Sequence, residues 1–117
     1  MRYLFLLRQT PYGSTLAREA LDMALATAAF DQQVQLLFIN DGVYQLINEQ
    51  NSVIKQRKNI SKTLAALELY DINEVYADIS SINDRGLNMN DLFATVNVID
   101  KSAMHTLIQQ ADIVINL

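Results

Sequence analysis

The chain has 117 residues, half of them apolar, with one proline (Pro11) and a net charge of −4. That length supplies one hydrophobic core and is too short for two, so a single domain over 1–117 is expected. There is no cysteine, which excludes disulfides, thiolate nucleophiles, zinc–thiolate sites and any persulfide carried on this chain. The acidic balance opposes direct, unaided binding to a nucleic-acid backbone.

Residues 1–7 contain one positive charge and a short apolar run that stops at Arg8-Gln9-Thr10-Pro11, without the small-residue cleavage site of a signal peptide. No apolar stretch approaches the ~20 residues of a membrane-spanning helix. The expectation is a soluble, cytoplasmic protein with no membrane role.

Arg2 to Leu7 is almost continuous in large apolar residues, the pattern of a strand covered on both faces in a parallel sheet. Thr10-Pro11-Tyr12-Gly13 reads as a turn, after which the Ser14 or Thr15 hydroxyl can accept the free N–H groups opening a helix. In that helix Ala17, Ala20, Leu21, Ala24, Leu25 and Ala28 form one stripe at helical spacing. A second strand spans 34–39 and stops at Asn40-Asp41-Gly42, placing Asp41 at its carboxyl end.

Residues 43–47 are apolar but short, which predicts a turn or two of helix. A longer helix is expected over 53–69, with Val53, Ile60, Leu64 and Leu67 on one side and Lys55, Lys58 and Lys62 opposite. Residues 74–79 read as a third strand, 80–92 as a polar, irregular loop with room for one helical turn, and 95–99 as a fourth strand. A last helix over 102–111, with Ala103, Met104, Leu107, Ile108 and Ala111 inward, precedes a strand over 113–117. This alternation predicts a three-layer α/β/α sandwich on a five-stranded, mainly parallel sheet, with right-handed crossovers. Ligands and partners of such folds meet the carboxyl ends of the strands, here residues 8–13, 40–42 and 78–81.

The chemical candidates each have a structural alternative. The turn at 11–15 leads into a helix amino terminus that can hold an anion, but its single glycine lacks the repeated close approaches of a phosphate-cradling loop. Asp41 and Asp78 form a carboxylate pair for acid–base work or a hard cation if their strands are adjacent; aspartate at a strand end is also an ordinary cap of the following turn. His105, the only histidine, has no nucleophile signature to serve and reads as a helix-border residue. The three lysines read as a solvated helix face or a surface for an acidic partner or an RNA phosphate. Val43, Tyr44, Leu46 and Ile47 offer more apolar surface than a short connection needs, which suits an interface core; packing on the domain's own sheet explains it equally. Arg57 falls beside the apolar side of its helix, where a buried carboxylate would pair with it.

Several segments together resemble the TusC (DsrF) branch of the DsrE/DsrF-like family across the whole length. They are Pro11-Tyr12-Gly13 with Arg18-Glu19-Ala20-Leu21-Asp22, the distinctive Phe38-Ile39-Asn40-Asp41-Gly42-Val43-Tyr44-Gln45-Leu46, then Leu67-Glu68-Leu69-Tyr70-Asp71-Ile72, Arg85-Gly86-Leu87 and the final Ala111-Asp112-Ile113-Val114-Ile115-Asn116-Leu117. The resemblance implies a non-catalytic subunit of a sulfur-relay complex, assembled with TusB-like and TusD-like subunits into a heterohexamer. Such a complex passes persulfide sulfur through a downstream TusE-like carrier toward 2-thiolation of the tRNA wobble uridine. No cofactor is implied. It also implies that Asp78 occupies the position of the family's sulfur-carrying cysteine, and a carboxylate cannot accept a persulfide. Ala20, where a glycine is usual, is a second departure. The rival readings are a DsrF-type subunit of dissimilatory sulfur oxidation, and a small-ligand-binding α/β module using the crevice around Tyr12, Asp41 and Asp78.

Overall fold

The computed structural model describes residues 1–11, 14–47, 64, 66–93 and 95–117. Five strands, β1 (Arg2–Leu7), β2 (Gln33–Phe38), β3 (Glu74–Asp78), β4 (Asn97–Ile99) and β5 (Ile113–Asn116), form one sheet in the order β4-β3-β2-β1-β5. All four pairings are parallel. The helices are α1 (Leu16–Ala28), α2 (Ile79–Asp84) and α3 (Lys101–Gln110), with 3-10 segments at Asn40–Leu46, Leu67–Tyr70 and Met89–Asp91. The expected five-stranded parallel sheet with helices on both faces is therefore present.

The strand order explains how the layers divide. From β1 to β4 the chain steps across the sheet in one direction, and right-handed crossovers place those connections on one face. The step from β4 back past β1 to β5 runs the other way and puts α3 on the opposite face. Side-chain alternation then fills two cores. Phe5, Leu7, Leu36, Phe38, Val75 and Ala77 face α1, whose buried residues are Ala17, Ala20, Leu21 and Ala24. Leu4 and Leu37 face α3, which contributes only Leu107 as a buried side chain.

Two expectations need correction. The stretch after β3 is no irregular loop but α2, capped at both ends, followed by a 3-10 turn; the polar composition of 80–92 hid the capping residues that build it. In α3, Met104 packs inward with Leu107, whereas Ala103 and Ile108 are exposed, because the helix turns a narrower stripe to the sheet than its composition indicates. At the start of α1 the hydroxyl that accepts an opening N–H is Ser14, whose Oγ takes the Leu16 N–H at 3.4 Å, while Thr15 makes no capping bond. The helix expected over 53–69 lies mostly outside the described residues, and its last residues, from Leu67, belong to the 3-10 segment Leu67–Tyr70.

Candidate functional site

In the order β4-β3-β2-β1-β5 the strand order reverses between β1 and β5. β3 is followed by α2, whose Ile82 joins the α1-side core, and its neighbour β4 is followed by α3 on the other face. Asp78, paired in register with Ile99, ends β3.

Asp78 is buried, and both of its carboxylate oxygens are engaged. Oδ1 accepts the Ser80 N–H at 3.3 Å, the bond of a helix N-cap, and Oδ2 accepts the Ser81 hydroxyl at 2.8 Å. Ser81 Oγ in turn accepts the Asn40 N–H at 2.9 Å, tying the start of α2 to the end of β2. One turn further, Arg85 sets Nε and Nη2 each 3.0 Å from Asp41 Oδ1, while Nη1 donates to the Ser81 carbonyl at 3.2 Å. Ser81 and Arg85 thus hold the start of the 3-10 segment Asn40–Leu46, with Asp78 orienting the Ser81 hydroxyl. The two carboxylates expected as a pair have separate partners: Asp41 is held by Arg85 and Asp78 by α2 itself. Among the described residues no three His, Asp or Glu side chains gather as a metal site would require.

The far end of α2 is equally defined. Gly86 takes φ +64°, its N–H bonds the Asn83 carbonyl, and the Leu87 N–H reaches back to Ile82 at 3.1 Å. This six-to-one closure is the Schellman stop, completed by packing of Leu87 on the core that holds Ile82.

The 3-10 segment itself is seated on β1. Ile39 N–H bonds the Leu7 carbonyl at 3.1 Å, and the buried Gln45 side chain donates to the Gln9 carbonyl at 2.7 Å. Val43 and Leu46 are 0% exposed and belong to the α1-side core. A side chain with no free surface has none to bury against a partner, so the expected contact surface of Val43, Tyr44, Leu46 and Ile47 narrows to the half-buried Tyr44 and Ile47. Arg57, Tyr12 and the three lysines lie outside the described residues. His105 is exposed on α3, 3.2 Å from the Gln109 amide.

The sequence reading singled out neither Ser81 nor Arg85 for a role, although an Asp-x-x-Ser start and an Arg-Gly-Leu stop would have marked them as the frame of a short helix. It also missed a polar cluster on the α3 face. Glu74 accepts hydrogen bonds from the Gln33 and Gln35 amides, each at 3.2 Å, and from the Tyr76 hydroxyl at 3.3 Å. Burial raises the Tyr76 pKa above its ordinary value, and the Glu74 charge and hydrogen bond raise it further, with Arg2 opposing. A separate groove of about 230 Å³, lined by Gln9, Leu16, Glu19, Ala20, Met23 and Leu117, is mainly apolar and does not reach Asp41 or Asp78.

Comparison with known proteins agrees with this architecture. The chain is 40% identical over 114 residues to a protein TusC homolog of Pseudomonas aeruginosa, covering 97% of this chain and 96% of the relative. It is 36% identical to the intracellular sulfur oxidation protein DsrF of Allochromatium vinosum, covering 97% and 93%. The crystal structure of the ychN protein from E. coli superposes with a TM-score of 0.84 at 19% identity, over 99% of this chain and 98% of that one, a likeness of fold. The profile of the DsrE/DsrF-like family matches residues 1–117, and the chain belongs to that family.

Proposed function

We propose that the chain is a non-catalytic subunit of a cytoplasmic sulfur-relay complex, assembled with TusB-like and TusD-like subunits into a heterohexamer that moves persulfide sulfur toward 2-thiolation of the tRNA wobble uridine. The observation that supports this reading is the state of Asp78, which the family resemblance sets at the place of the sulfur-carrying cysteine: it is a carboxylate, and both its oxygens are engaged at the start of α2. With no cysteine anywhere in the chain, sulfur has no covalent foothold on it. Its contribution is then to hold other subunits in position through buried area and shape. Tyr44 and Ile47, at the strand-end side of the fold, are its contact residues.

Likeness to a protein named for intracellular sulfur oxidation supports a second reading, a DsrF-type subunit serving that pathway with similar companions. Deletion of the gene separates the two. Mass spectrometry of tRNA nucleosides should show loss of 2-thiouridine; unchanged 2-thiouridine with impaired sulfur oxidation would reject the tRNA reading.

A further inference from the structure

We propose that the open edge of β5, together with the apolar groove beside it on the α1 face, docks a second copy of this chain, whose own β5 runs antiparallel so that the two sheets become one; this stands apart from the subunit reading above. Among the described residues β5 pairs only with β1. The Leu117 N–H donates to the Leu6 carbonyl at 3.0 Å, and the Arg8 N–H to the Leu117 carbonyl at 3.4 Å. In the evenly spaced ladder of a parallel pair, Ile113, Ile115 and Leu117 therefore serve β1, and Val114 and Asn116 turn their N–H and C=O groups outward.

An edge of this kind is normally blunted by charge, proline or extreme shortness. β4, at the other edge, is three residues long and runs straight into Asp100 and Lys101. β5 reads Ile-Val-Ile-Asn, with neither charge nor proline. Beside that edge both faces of the sheet are apolar. Val114, in register with Leu4 on the α3 face, is 40% exposed. On the α1 face the groove of about 230 Å³ runs between Leu117 and the half-exposed Leu16 and Met23. Its one charged residue, Glu19, accepts the Thr15 hydroxyl at 3.2 Å.

The occupant follows from symmetry. A single foreign strand would cover this edge and leave its own far side open, whereas a two-fold pairing of β5 with itself leaves neither β5 edge exposed. An axis normal to the sheet keeps each face on its own side, so groove meets groove and Val114 meets its own counterpart. In that register Asp112 lies opposite Asn116, and no like charges meet along the strands. Backbone bonds over so short a strand would not hold a dimer alone; the apolar side chains on both faces supply the rest of the contact.

Sedimentation of the purified full chain tests this, since its mass should double as concentration rises. Val114→Lys and Met23→Lys, on opposite faces of the one contact, should each weaken self-association about tenfold, with the thermal midpoint at high dilution nearly unchanged. In the wild type the Val114 and Asn116 amides should exchange with solvent more slowly as the dimer fills, a readout that needs no variant. A chain that stays monomeric overturns the inference and leaves the subunit reading intact. A dimer indifferent to either substitution, or one whose Val114 and Asn116 amides exchange as fast as in the monomer, also overturns it.

Discussion

At the scale of single residues, Gly42 and Tyr76 make separable predictions. A Cβ on Gly42 would overlap the carbonyl of Leu7, which is backbone and cannot swing away. Gly42→Ala must push the 3-10 segment off β1, and overpacking of this kind destabilises by about 1–3 kcal/mol. Chemical denaturation should show that loss at an unchanged m-value; a variant as stable as the wild type would mean that the segment is not seated as described. Tyr76 tests the polar cluster on the α3 face. Its folded pKa lies above its ordinary value, so its contribution to stability is complete at neutral pH and is lost as pH rises through the folded pKa in the alkaline range. Ultraviolet titration should resolve one late-ionising phenol that disappears in Tyr76→Phe, whereas an unchanged titration curve would contradict the burial and the Glu74 bond.

At the scale of elements, the helices that follow β3 and β4 depend on different things. α3 is attached to its face by Leu107 and capped by Asp100, whose Oδ1 accepts the Ala103 N–H at 2.9 Å. Leu107→Ala should cost about 2–5 kcal/mol and Asp100→Ala about 1 kcal/mol, read as separate shifts of the unfolding transition. Equal effects would mean that α3 is held by its cap and not by its packing. The helical stripe of α1 was legible in the sequence because its period repeats over thirteen residues, and the strands because their short apolar runs stop at polar turns. α2 was not legible by that route. Six residues give too little period to see, and its signals are instead local chemistry: Asp78 at the start, Gly86 at the stop, and Leu87 returning to Ile82. The carboxylate at Asp78 was visible as a strand end, and the Asp-x-x-Ser spacing to Ser81 with the Arg-Gly-Leu stop was the local signal that marks the short helix. Val43 and Leu46 show the converse limit. Composition marks them as surplus apolar surface, and only the three-dimensional seat on β1 reveals that the domain's own core takes them.

At the scale of the whole molecule, Asp78 closes the carboxyl end of β3 as a helix cap with both carboxylate oxygens engaged. Replacing Asp78 by Cys would therefore remove a cap along with installing a thiol, so it should lower stability by about 1 kcal/mol and is a poor route to a sulfur-bearing variant. The central claim is that the chain supports sulfur movement without carrying sulfur. The most direct measurement is transfer of radiolabelled sulfur from a persulfide donor through the reassembled complex, with the label located on each subunit after separation. The account predicts label on a companion subunit, none on this chain, and reduced transfer when this chain is omitted. Label covalently attached to this chain, or undiminished transfer without it, would contradict the account.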